Sequence, residues 1–216
     1  MVLVEQLCWR LTLPVHAVGC VKLGFGRWAL GIGLWFCASD AQAHTPTSVM
    51  CELLAKNPGW EDALRAASVK WKVNPGAILA VIDYESRFRA DAKGQGGREE
   101  KALGNYGFTQ ANLRTWNWFL RDTKRAGGSR SDFGLAVDFV GWHFATMERR
   151  IKSPRHNVAN HYLAYKLGEG GYQRGASAHS RQLAYRIEAR AKSHDLALRS
   201  CGFGAQTPDT EQASMP

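Results

Sequence analysis

The chain lacks the marks of a β protein. No stretch alternates apolar and polar residues over the length of a strand, and the β-branched residues are scattered, so strands are not expected. Internal repeats of solenoid length are absent as well. Seven prolines and 22 glycines in 216 residues are too few for a low-complexity chain, and 45% apolar with 22% charged residues is an ordinary globular balance. Metal-ligand spacing is missing. His156 and His161 would stand about 140° apart on a helix and no Cys or carboxylate cluster completes a set, so no metal or other cofactor is expected. Gly94-x-Gly96-Gly97 has neither the Lys-Ser/Thr nor the preceding strand of a phosphate loop, and reads as a flexible loop. Acidic residues are in short supply, 19 against 28 basic ones, for a formal charge of +9. Such a surface attracts polyanions: nucleic acid, anionic lipid or acidic envelope polymers.

What is present begins with a leader, residues 1–43. Lys22 and Arg27 precede the apolar run Trp28–Ala38, and Ala41-Gln42-Ala43 offers small residues where a signal peptidase reads, so cleavage is expected between Ala43 and His44. The run falls short of the ~20 apolar residues that span a bilayer, and an uncleaved anchor is the alternative. A lipoprotein reading is weaker, because bulky Phe36 precedes Cys37. The first twenty residues are long for a leader. Our hypothesis is a start near Val21-Lys22, which mass spectrometry of the uncleaved precursor would test. A periplasmic or secreted protein follows, and export argues against nucleic acid as a partner. Cleavage removes Cys8, Cys20 and Cys37 and leaves Cys51 and Cys201, which suggests one disulfide, two free thiols being the alternative. A bridge across so long a loop stabilises by about 4–5 kcal/mol at most in the chain-entropy account.

Residues 44–204 read as one all-α domain, and residues 205–216, rich in Thr, Gln, Ser and Pro, as a disordered tail. Helices are expected over Thr47–Lys56, Trp60–Lys72, Pro75–Phe88, Thr109–Arg125, Ser131–Lys152, Asn157–Leu167 and His179–Asp195. Asn74 before Pro75 is a start signal, a capping side chain followed by proline at the first helical position. Ala92–Gly107 and Gly168–Gly175 are expected to interrupt the helices.

One carboxylate is out of keeping with its helix. At 100° per residue, Ile78, Val81, Ile82 and Phe88 fall within about 60° of Glu85, and Asp83 points to the opposite side. A carboxylate on an apolar face costs several kcal/mol unless paired or protonated, so its pKa should rise, as a general acid working near neutrality requires. The plain alternative is an ion pair with Arg89 four residues on.

Glu85-Ser86-x-Phe88 is followed by Tyr106-Gly107-Phe108-Thr109-Gln110, and then by Tyr162-Leu163-Ala164-Tyr165-Lys166-Leu167-Gly168-Glu169-Gly170-Gly171-Tyr172. This order resembles the soluble lytic transglycosylases, relatives of goose-type lysozyme: a helix ending in Glu-Ser-x-Phe, a Gly-Leu-Met-Gln-like turn, and an Ala-Tyr-Asn-x-Gly-like segment. The resemblance spans about Pro75 to Tyr172. It implies a single lysozyme-like domain, with Glu85 as the catalytic acid and Tyr165 hydrogen-bonding near it to hold it in place. Gln110 and the backbone of Gly107 would line the sugar groove, and Ser86 would sit beside the bound sugar. Phe108-Thr109 replaces Leu-Met, and Lys166 stands where asparagine is common. A cation there lowers the pKa of Glu85 or reaches outward to an anionic peptide stem.

The chemistry that the resemblance implies needs one carboxyl group. It is a lyase reaction: protonation of the oxygen between N-acetylmuramic acid and N-acetylglucosamine, aided by the substrate's acetamido group, then closure of the muramoyl 6-hydroxyl to a 1,6-anhydro end. A muramidase on the same fold is the first alternative and needs a second carboxylate, with Asp91, Glu99, Glu100, Asp122 and Glu169 as candidates. A basic envelope-polymer-binding protein without catalysis is the second. Of the aromatic residues, Tyr106 and Tyr172 border glycine turns and are the expected sugar platforms; Trp116, Trp118, Trp142 and Tyr162 are expected in the core. The expected partner is the peptidoglycan glycan strand, bound by a monomer, in wall turnover or in opening a gap for a secretion, pilus or conjugation machine.

Overall fold

The computed structural model describes residues 46–94 and 104–203. The expected leader, most of the glycine-bearing loop with Gly96 and Gly97, and the expected tail lie outside the described residues. Among the described residues there are seven helices and no strand: α1 Pro46–Ala55, α2 Trp60–Trp71, α3 Pro75–Ser86, α4 Leu113–Asp122, α5 Phe133–Arg150, α6 Val158–Gln173 and α7 Ala178–Ser200.

Five of them start on a polar side chain that accepts the amide three residues on: Asn74 from Ala77, Asn112 from Thr115, Asp132 from Leu135, Asn157 from Asn160 and Ser177 from Ser180. Each such cap contributes about 1 kcal/mol. The ends are less regular. α3 stops at Ser86, two residues before the expected end, because Arg87 and Phe88 both take left-handed backbone angles (φ 55° and 59°). Phe88 therefore leaves the face it would share with Glu85 and packs toward Trp60 and His194. The expected helix from Thr109 begins only at Leu113, since the chain turns through a left-handed Gln110 (φ 49°) first. The expected break at Gly168–Gly175 is mostly helical: α6 continues to Gln173 across a kink at Gly168, whose φ of 69° only glycine adopts readily, and ends before Arg174 and Gly175.

α3 is the central element. Gly76 through Ile82 are all buried, enclosed by α2, α5 and α7. At Gly76 the approach of α7 leaves no room for a side chain, as a Cβ there would overlap the backbone of Ala191 and Asp195. The back of α3 is tied by charge. Asp83 meets Arg190 and His194, each at 3.1 Å, and Arg87 at 3.6 Å. Burial raises the Asp83 pKa, but the His194 hydrogen bond and the charges of Arg190, His194 and Arg87 outweigh it and hold the carboxyl below its ordinary value. A disulfide joins Cys51 on α1 to Cys201 at the end of α7, closing 150 residues of chain.

Candidate active site

Glu85 stands on the last turn of α3, two residues before the left-handed pair that ends the helix. It lines a cavity of about 280 Å³ together with Asn105, Gln110, Ala111, Asn112, Thr115, Phe139, His143, Tyr165 and Lys166. The lining comes from α3, α4, α5, α6 and the turn before α4. Among the described residues Glu85 makes no ion pair; Arg89 turns back instead and donates to the Ser86 carbonyl. Burial pushes the Glu85 pKa up, against the opposing influence of a hydrogen bond from Tyr162 and the nearby charge of Lys166. The Tyr162 hydroxyl donates to Glu85 Oε1 at 2.9 Å, and Tyr162 itself is fully buried.

The turn carrying Gln110 is fastened from several sides. Gln110 Nε2 donates to the carbonyls of Ala92 and Gly107, both at 2.9 Å. Arg130, buried in the turn ahead of α5, donates to the carbonyls of Gly104 and Ala111 and lies over the Tyr106 ring. Gly107 has a φ of 75°, and a Cβ there would run into the Arg130 carbonyl, so the turn closes only on glycine. The Tyr165 hydroxyl donates to the Thr109 carbonyl at 2.6 Å.

A family model described as a transglycosylase SLT domain matches residues 12–201. The chain belongs to the transglycosylase SLT family. It is thereby a peptidoglycan-acting protein of the lytic transglycosylase type. The match begins within the stretch read as a leader. No curated protein matches the chain.

Within this transglycosylase SLT domain the residues singled out from sequence are placed unequally. Glu85, Gln110, Tyr165 and Lys166 share the cavity. Tyr165 does not hold Glu85 by hydrogen bond; Tyr162, one helical turn earlier, supplies that bond, and Tyr165 secures the turn before Gln110. Ser86 is buried and bonds back to the Ile82 carbonyl within its own helix, so it does not face the cavity. Tyr106 lies behind the turn against Arg130, and Tyr172 packs with Trp118 on Met147, Ile151 and Ala164. Neither lines the cavity, and the lining includes no atom of Gly107.

Of the carboxylates weighed for a second role, Asp122 accepts from the Trp142 indole and Glu169 pairs with Arg150. Neither they nor Asp91 line the cavity. Glu99 and Glu100 lie outside the described residues. Sequence reasoning missed Asn105, Asn112, Thr115, Phe139, Arg130 and His143. Asn112 was findable as a cap, and the rest carry no local signal.

Proposed function

We propose that the protein is an exported peptidoglycan lytic transglycosylase in which Glu85 is the general acid and base. Glu85 protonates the glycosidic oxygen between N-acetylmuramic acid and N-acetylglucosamine, and the substrate's acetamido group supports the departing bond. The carboxylate then takes the proton of the muramoyl 6-hydroxyl as that oxygen closes on C1, which leaves a 1,6-anhydro end and adds no water. Tyr162 orients the carboxyl, and Gln110 offers its side chain to the sugar from the fastened turn.

The observation that carries this reading is that Glu85 is the only carboxylate among the described residues lining the cavity, and burial raises its pKa. One acid with a raised pKa suits a reaction that moves one proton out and one back. Hydrolysis by a pair of carboxyl groups would call for a partner about 5–9.5 Å away. The Cys51–Cys201 disulfide supports an oxidising compartment, periplasmic or extracellular. There the protein would act as a monomer on glycan strands, in wall turnover or at the site of an envelope-spanning machine.

The test is digestion of purified peptidoglycan by the wild type and by Glu85→Gln, with mass spectrometry of the released muropeptides. Anhydromuramic ends from the wild type alone are expected. Reducing ends, heavier by one water, would make the protein a muramidase, which needs a second carboxylate. Release of nothing by the wild type would leave a polymer-binding role.

A further inference from the structure

One polar group in the cavity wall has no task in that reaction. His143 on α5 is 5% exposed and lines the cavity with Glu85. Its Nδ1 is sealed from solvent without a hydrogen-bond partner, and among the described residues no hydrogen bond reaches its side chain at all. Its ring sits edge-on to Tyr165 at 4.9 Å between centroids and 6.3 Å from Phe139. An imidazole buried without partners loses its hydration and gains no bond in return, whereas an apolar side chain in this seat of a largely buried helix would lose nothing. Nδ1 stays sealed inside the wall, so Nε2, which is neither sealed nor bonded, is the nitrogen left to meet a molecule that fills the cavity.

The chemistry of the seat narrows the ligand. Burial, with His161 as the smaller contributor, lowers the His143 pKa to about 3, so the ring is uncharged at neutral pH and offers one donor and one acceptor. A carboxylate or phosphate in this cavity would turn to Lys166 rather than to an uncharged ring, whereas an amide, carrying both a donor and an acceptor, suits Nε2 in either tautomer. The rest of the lining sets the charged Glu85 and Lys166 among the neutral Asn105, Gln110, Asn112 and Thr115 and the rings of Phe139 and Tyr165. We propose that His143 is a specificity-determining residue that binds the acetamido group of an N-acetylhexosamine unit in the Glu85 cavity, its imidazole bonded to the amide and the acetyl methyl lying against Phe139 and Tyr165. This inference rests on the glycan-cleaving function proposed above.

The experiment measures binding by calorimetry in the Glu85→Gln protein, which does not consume its ligand, and in the same protein carrying His143→Phe or His143→Gln. The probes are a soluble β-1,4-linked N-acetylglucosamine oligomer and its de-N-acetylated counterpart. His143→Phe is expected to weaken binding of the acetylated oligomer at least tenfold and to shrink the preference for it over the other. His143→Gln, which keeps a donor and an acceptor, should recover part of the loss. Melting temperatures should not fall in His143→Phe. Unchanged affinity in folded His143→Phe overturns the proposal, and so do equal losses for both oligomers. Should His143→Phe not fold, nitrogen-15 signals of the His143 ring in the parent decide: no change on saturation with the acetylated oligomer overturns it. If the parent binds neither oligomer, the glycan reading fails together with it, whereas a parent that binds and a variant that binds equally removes only the role of His143.

Discussion

The Tyr162 hydroxyl donates to Glu85 Oε1 at 2.9 Å, while the Tyr165 hydroxyl, one turn along the same helix, donates to the Thr109 carbonyl at 2.6 Å. Two tyrosines of one short motif thus serve two different parts of the site. One addresses the acid and the other the turn that presents Gln110.

The two can be separated by removing one hydroxyl at a time. Tyr162→Phe takes away a hydrogen bond to a charged group, so turnover should fall about tenfold or more. The same bond favours the ionised carboxyl, so its loss should carry the basic limb of the pH profile to higher pH. Tyr165→Phe should leave that limb in place, cost about 1–3 kcal/mol of stability through the unpaired Thr109 carbonyl, and raise KM. The pH profiles of both variants, with urea melts, check this.

Glu85 should weaken the fold that holds it. Its folded pKa lies above the ordinary 4.5, so the native state keeps the proton in a window where the unfolded chain has already lost it. Stability is therefore lost as pH rises from 4.5 through the folded value. Glu85→Gln is expected to melt higher than the wild type at pH 7, with the difference shrinking below pH 4.5. Calorimetric melts of both proteins across pH 3.5–8 read it directly.

Lys166, which lines the same cavity, acts on the same carboxyl. Its charge lowers the Glu85 pKa, so Lys166→Asn should let the pKa rise and move the basic limb of the activity profile upward at low salt. Because Lys166 is exposed, added salt should shrink the difference between the variant and the wild type. A profile insensitive to Lys166→Asn would mean that the ammonium is turned away in solution.

Reduction of Cys51–Cys201 should lower the melting temperature, by an amount bounded by the ~4–5 kcal/mol of the chain-entropy account. Denatured, unreduced protein should take up no alkylating agent at these two positions. Uptake of two equivalents would mean that the bridge does not form.

Much of the fold could be read along the chain because its signals are local. Asn74-Pro75 marks the start of α3 by cap chemistry, and the apolar run from Ala77 to Ile82 places Glu85 against the core by geometry alone. What the chain does not carry is how far one helix slides along another. Tyr162 and Tyr165 stand three residues apart on one face of α6, and only the axial offset of α3 decides which of them reaches Glu85. The left-handed pair Arg87-Phe88 was hidden for another reason: neither residue favours that backbone region, and tertiary packing imposes it. His143 was hidden by its surroundings, since a lone histidine on a helix with buried residues along most of its length reads as core.

The disulfide has a mechanical consequence too. Cys51 and Cys201 have Cα atoms 5.5 Å apart, so the chain on the amino side of α1 and the chain beyond Phe203 depart from neighbouring points. Tension applied between those two departures runs through a single sulfur–sulfur linkage. The load path never enters α3, α5 or α6, and a tether at either side can be drawn taut while the geometry around Glu85 stays slack.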